Sequence, residues 1–255
     1  MKINRLDQIE QYITANQTVS LDKLCEVFGI SKNTVRRDIN DLVKKGNVRK
    51  VYGGVTAEKR SLVPFEERNI KSRKEKQIIC QKAAESVNDG DVIYIDSGTT
   101  TANLVDFLKG KNITILTQSL NVVLNALPYS ELKIFLLGGN LIRDTNSFSI
   151  LNMNILERYN INKAFMAAAG LSIENGVTNS SPLEYEIKKS IVKKSDKSYL
   201  LADHSKFGNS SLMTFCRLED ISCIVTDREP PKKFLSFFEK HSIELKIANA
   251  AVQTV

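Results

Sequence analysis

Two groups of residues in this chain are of types, and at spacings, that do chemistry. The first is the run Asp96-Ser97-Gly98-Thr99-Thr100, which sets a carboxylate, a glycine and three hydroxyls side by side. Hydroxyls and glycine-exposed amides at the start of a helix suit an anion. The run lacks the spacing of a P-loop or a dinucleotide fingerprint, so a small phosphate monoester fits it better than a nucleotide. Farther along, Asp203-His204-Ser205-Lys206-Phe207-Gly208 offers Lys206 as a counter-charge. The alternative use of Ser97 and Thr99 is simply to cap the helix that follows.

The second group lies between Ser31 and Asn40. With Val35 at zero on a helical wheel, Ile39 falls near about 40° and Leu42 near about 340°, which makes a buried stripe. Asn33, Arg36, Arg37 and Asn40 fall between about 100° and 200°, on the opposite face. Arginine forks match guanine edges and phosphates, and asparagine matches adenine. Lys32 and Thr34 flank this face, and Ser31 is placed to cap the helix.

The elements that must carry these groups follow from local pattern. Leu6, Ile9 and Ile13 repeat at helical spacing, and the 15–18 segment breaks that helix. Ser20 is an N-cap for a second helix with the apolar stripe Leu21, Leu24, Val27 and Phe28. Gly29 ends it through a left-handed turn. The third helix runs from Ser31 to about Lys45, before Gly46. Residues 48–52 then read as a strand, Gly53-Gly54 as a turn and Val55 as the return. That is a helix-turn-helix followed by a wing, in which Arg49 and Lys50 meet the phosphate backbone.

From residue 88 onward short apolar strands alternate with helices. Strands are expected at 92–95, 113–116, 133–137, 163–167, 198–201, 222–226 and 244–247. Helices are expected at 75–87, 101–109, 120–127, 183–194 and 231–240. This alternation predicts an α/β domain with a largely parallel sheet, whose ligand binds outside the carboxyl ends of the strands. Gln118-Ser119, Gly138-Gly139 and Ala169-Gly170 follow other strands and fall at the same edge. The expected division is a head at 1–57, an exposed, charge-rich linker with Pro64 at 58–76, and a sensing domain at 77–255.

Composition agrees with two globular domains. The chain has 255 residues, 42% hydrophobic and 25% charged. No apolar run approaches the ~18–20 residues of a membrane span, and a charged start argues against a signal segment, so a cytoplasmic protein with no membrane partner is expected. Four scattered cysteines and two histidines form no metal-ligand spacing, so neither a metal nor a cofactor is expected. Residues 1–57 hold 10 basic and 6 acidic side chains, whereas residues 91–255 are nearly balanced, at 18 and 17. A basic head on a neutral body points to nucleic acid.

The run VSLDKLCEVFGISKNTVRRDINDLVKKGNVRKVYGGV resembles the winged helix-turn-helix of the DeoR family of bacterial transcriptional regulators. DVIYIDSGTTTANL, ITILTQSLNVV, IFLLGGNLI and LLADHSKFG resemble that family's sensor domain, which is similar to sugar-phosphate isomerases such as ribose-5-phosphate isomerase. The resemblance implies a repressor of a sugar-metabolism operon, with a double-stranded DNA operator and a phosphorylated sugar as partners. By it Ser97, Gly98, Thr99 and Thr100 hold phosphate, Asp203 and Lys206 contact the ligand, Gly138-Gly139 form a wall, and Glu184 faces a sugar hydroxyl. This chain departs from the family pattern at Gln118, where asparagine is usual, at Ser149, where glycine is usual, and at Ala167-Ala168-Ala169-Gly170. A homodimer or larger assembly is expected from paired heads on a symmetric operator. Two rival readings are an isomerase using Asp203, His204 and Glu184 for acid–base work, with the head for targeting, and an architectural DNA binder with an inert second domain.

Overall fold

The computed structural model describes residues 2–16, 18–44, 48–57, 65–150 and 152–248. The chain divides into two compact units, Met1–Val63 and Pro64–Val255. The first holds α1 (Lys2–Asn16), β1 (Thr18–Ser20), α2 (Leu21–Phe28), α3 (Lys32–Lys44), β2 (Val48–Val51) and β3 (Gly54–Ala57). The expected caps form. Ser20 Oγ accepts from the Lys23 amide at 3.1 Å, Gly29 is left-handed with φ 61°, and Ser31 Oγ accepts from the Thr34 amide at 3.3 Å. The expected end of the third helix at Lys45 and Gly46 lies outside the described residues.

Leu6, Ile9, Ile13, Leu24, Val35, Ile39 and Leu42 form the core of this unit, joined by Val19, Val48 and Val55. Two local expectations change. Val27, expected on the apolar stripe, is 42% exposed. The hairpin turn falls at Tyr52-Gly53, and Gly54 already belongs to the returning strand. A Cβ on Gly54 would overlap the Val19 carbonyl, because β1 adds to the hairpin as a third antiparallel strand in the order β1-β3-β2. The periodicity around 15–18 signalled only a helix break, since a three-residue strand is too short to show its alternation.

The second unit begins with α4 (Phe65–Ile70) and α5 (Arg73–Ala84). Phe65 is buried against Ile79, Cys80 and Ala83. The stretch expected as an exposed linker through residue 76 is therefore helical and partly buried from Phe65 onward. Residues 58–64, Pro64 included, lie outside the described residues.

A parallel sheet of seven strands follows, built from β4 (Val92–Ile95), β5 (Thr114–Thr117), β6 (Lys133–Leu136), β9 (Lys163–Ala167), β12 (Lys197–Leu201), β14 (Cys223–Thr226) and β15 (Glu244–Ile247). These are the seven expected strands, each within a residue of its expected bounds. Between them lie α6 (Leu120–Ala126), the pair β7 (Leu141–Ile142) and β8 (Ser147–Phe148), then β10 (Gly170–Ser172), β11 (Gly176–Asn179), α7 (Pro182–Lys194), β13 (Met213–Cys216) and α8 (Lys232–Lys240). Strands β10, β11 and β13 form a small antiparallel sheet. The alternation in β4 shows how the layers arise: Ile93 and Ile95 face the core under α5 and α6, and Tyr94 faces the core under α7 and α8. Burial on both faces is what makes such strands near-continuously apolar.

The order β15-β14-β12-β9-β4-β5-β6 carries the functional consequence. From β4 the chain adds β5 and β6 on one side, then crosses back to place β9 and its successors on the other. The strand order thus reverses between β4 and β9. A crevice at such a reversal, outside the carboxyl ends, is where open parallel sheets bind ligands. We expect Leu42→Ala to cost the first unit about 2–5 kcal/mol, since Leu42 is fully buried. Urea denaturation followed by circular dichroism checks this.

Candidate functional site

The residues after β4 and β9 meet at the reversal. Asp96 is wholly buried, and its Oδ2 accepts from the Ala167 amide at 2.9 Å and from the Lys188 ammonium. Lys188 comes from α7, is itself buried, and also donates to the Ala167 carbonyl at 3.2 Å. Gly98 lies directly against β9, where an added Cβ would overlap that of Ala167. At the other end of the Ala167-Ala168-Ala169-Gly170 run, a Cβ on Gly170 would overlap the Asn209 carbonyl.

Hydroxyls and a second carboxylate surround this pair. Ser97 Oγ donates to Glu184 Oε1 at 2.6 Å, and Gln118 Nε2 donates to Ser97 Oγ at 3.3 Å. Ser147 Oγ reaches the same Glu184 oxygen at 3.5 Å. Thr101 Oγ1 secures the turn by donating to the Asp96 carbonyl at 2.7 Å. Asp96 Oδ1 and Asn179 Oδ1 are buried acceptors with no partner among the described residues.

Other expected site residues take narrower parts. Thr101–Phe107 is a 3-10 segment rather than the expected α-helix, so no long helix dipole stands behind the Ser97–Thr100 loop. Ser119 caps α6, accepting from the Val122 amide at 3.3 Å. Asp203 is buried and accepts from the Ser205 amide at 2.9 Å and from the Ser205 hydroxyl. Lys206 is half-buried beside it, and Gly138 and Gly139 are exposed in the loop after β6. Ser149, where glycine was expected, accepts from the Asn140 amide at 3.2 Å and donates to the Asn140 carbonyl at 3.4 Å. His204, the third member of the acid–base set considered for an isomerase, is exposed, and its Nδ1 lies 2.8 Å from Asp227 Oδ2. Lys188, Arg68 and Lys76 went unnoticed in the sequence, because nothing local separates them from solvated lysines and arginines on a helix.

In the first unit, Lys32, Asn33, Arg36, Arg37, Asn40, Arg49 and Lys50 are exposed, and Thr34 is half-buried. Lys32 Nζ is paired with Asp22 at 2.6 Å, and Ser31 Oγ lies 2.9 Å from Thr34 Oγ1, so these residues shape the start of α3. Beneath the face, Asp38 is buried and takes two bonds from Arg5 of α1, at 2.8 and 3.0 Å. That buried carboxylate also escaped notice, though it sits at the margin of the apolar stripe.

A basic helix face with a hairpin wing, on a chain whose second unit holds a mostly buried polar cluster at a sheet reversal, fits a ligand-sensing DNA-binding regulator. Residues 5–61 match the DeoR-like helix-turn-helix domain, and residues 71–228 match the DeoR C terminal sensor domain. The chain belongs to the DeoR family of transcriptional regulators and is not an enzyme. It is 47% identical to the HTH-type transcriptional regulator IolR of Bacillus subtilis (strain 168), over 97% of this chain and 100% of that one. It is 27% identical to the Glycerol-3-phosphate regulon repressor of Escherichia coli (strain K12), over 90% and 92% of the two chains. Among solved structures, a D-ribose-5-phosphate isomerase in complex with phospho-erythronic acid covers 53% of this chain and 54% of that chain, at 17% identity and TM-score 0.40. That likeness is too slight to carry a conclusion. Among the described residues, no helix is long and apolar enough to cross a membrane.

The Asp96–Lys188 pair generates a stability prediction. Lys188→Met leaves a buried carboxylate without its cation and should cost about 3–5 kcal/mol. The double change Asp96→Leu with Lys188→Met should cost clearly less than the sum of the two single changes. Urea titrations of the three variants measure both effects.

Proposed function

We propose that the protein represses a sugar-metabolism operon in the cytoplasm, and releases its operator when a phosphorylated sugar binds the second unit. The observation that carries this reading is the combination, in one chain, of the exposed Asn33-Arg36-Arg37-Asn40 face with the mostly buried polar cluster of Asp96, Ser97, Glu184 and Lys188 at the sheet reversal. Arg36, Arg37, Asn33 and Asn40 read base edges from the major groove, and Arg49 and Lys50 hold phosphates from the wing. Ser31, Lys32 and Thr34 set the start of the reading helix. Two heads of a homo-oligomer, at least a dimer, engage one operator.

In the crevice, Ser97, Gly98, Thr99 and Thr100 receive the phosphate. Glu184, Gln118 and the spare oxygen of Asp96 meet sugar hydroxyls. Asp203 and Lys206 close one side, with Gly138-Gly139 as a wall and Ser119 holding the neighbouring loop. Repression and carbohydrate metabolism stand in the printed names of relatives, among them the Lactose phosphotransferase system repressor of Staphylococcus aureus, and this supports the same assignment here. A ligand acts on DNA affinity only if it binds the two states of the regulator unequally.

The test is a fluorescence-anisotropy titration of operator DNA with and without a panel of sugar phosphates. One of them should weaken DNA binding, and none doing so across a full titration would end the proposal. In the same assay Arg36→Ala or Arg37→Ala should weaken operator binding by about 1–3 kcal/mol, roughly 5- to 150-fold. Lys50→Ala should weaken all DNA sequences alike and flatten the salt dependence by about one counterion.

A further inference from the structure

Lys76 has an environment unlike that of the other buried lysine of the sensor. Lys188 is buried and ion-paired with Asp96. Lys76 is equally buried, at 4% exposure, yet among the described residues no carboxylate is ion-paired with it. Its one hydrogen bond goes to the backbone carbonyl of Arg68. Three cations, Lys206, Arg68 and Lys71, and one carboxylate, Asp203, lie close enough to act on its charge. Burying an ammonium among cations is costly unless an anion joins them.

The location agrees with the chemistry. One turn along α5 from Lys76 stands Cys80, on the same helix face, and its thiol donates to the Thr100 carbonyl at 3.0 Å. Lys76 therefore projects from the part of α5 that rests on the Ser97–Thr100 loop. From α4, Arg68 feels the carboxylates of Glu184 and Asp96, and burial holds its guanidinium below the ordinary value. Lys206 approaches from the loop after β12. Cations from three separate segments thus gather around Lys76, and Arg68 among them feels Asp96, which opens the expected phosphate loop.

We propose that Lys76, with Lys206 and Arg68, forms the seat for a dianionic group in the sensor, so that Lys76 is an effector-binding residue. The proposal rests on the sensing function proposed above and supplies the charge that the hydroxyl loop lacks. It also has a pH signature. Burial first, then the neighbouring Lys206, push the Lys76 ammonium down to about 8. Binding a dianion favours the protonated form, so affinity is full below that value and falls as pH rises through it.

The probes are inorganic phosphate and inorganic sulfate, read by thermal shift and calorimetry on the full chain, with sodium chloride at matched ionic strength as control. Sulfate stays dianionic throughout, so any loss at high pH belongs to the protein. Wild-type affinity for sulfate should weaken roughly tenfold between about pH 7 and pH 9. Lys76→Arg should bind sulfate with little change over that range. Lys76→Met should lose the anion-induced rise in melting temperature without a lower melting temperature of its own, because it removes a buried charge. The seat is overturned if wild type shows no saturable response to either anion, or if Lys76→Met responds as wild type does. Should Lys76→Met fail to fold, a sulfate profile for Lys76→Arg that falls as steeply as wild type overturns it instead. Failure of the sensing function itself reads differently: the seat binds anions, and no sugar phosphate alters operator affinity.

Discussion

The sensor depends on one buried ion pair. Asp96 closes β4 and Lys188 rises from α7, and both hold the backbone of Ala167 at the end of β9. Two charges removed from water persist only when each meets the other and further hydrogen bonds fill their remaining capacity. Here those bonds come from the amide and the carbonyl of Ala167 on β9, and Asp96 Oδ1 keeps no partner among the described residues. The pair thus ties the end of β4 and α7 to the end of β9 at the reversal. Gly98 follows from the same constraint, because the loop beyond Asp96 passes too near Ala167 for any Cβ.

Around this pair, most polar groups are committed to the architecture. Thr101, Thr117, Ser119 and Asp203 each satisfy backbone groups, as buried polar atoms must. Against that background the exceptions are informative. Asp96 Oδ1, Asn179 Oδ1, Tyr94 Oη and Asn121 Nδ2 lack partners among the described residues, and Lys76, though Asp203 acts on its charge, is in no ion pair among them. The proposed anion seat would give Lys76 the partner that burial otherwise denies it. The thiol of Cys80 belongs to the architecture instead: burial pushes it far above its ordinary value and it serves as a donor to Thr100.

The head follows a separate logic. Its core is its own, built from α1, α2, α3 and the three short strands. Arg5 and Asp38 tie α1 to the inner side of α3, leaving Arg36, Arg37, Asn33 and Asn40 outside. A rigid helix carrying long polar side chains on its free face is what reading a groove requires. The binding face is therefore fixed by packing on the opposite side of the same helix.

Local pattern alone determined much of this protein. Helical spacing and caps placed α2 and α3, and the polar face of α3 was legible because one helix carries all of it. Apolar runs at the right lengths located all seven sheet strands; Ser97–Thr100 and Lys206 stood out as polar ends of elements, and Glu184 only through the family resemblance. Tertiary structure decided the rest. Strand order cannot be read from the runs themselves, since every buried parallel strand looks alike, so the reversal between β4 and β9 emerged only in three dimensions. Short strands such as β1, β10 and β11 exist because neighbours hydrogen-bond to them, not because their residues insist on it. Lys188, Lys76 and Arg68 read as ordinary charged helix residues until the fold buries or half-buries them, Lys188 against Asp96 and Lys76 with no ion pair among the described residues. Burial and charge pairing are properties of what surrounds a side chain, and those surroundings come from segments up to 92 positions away.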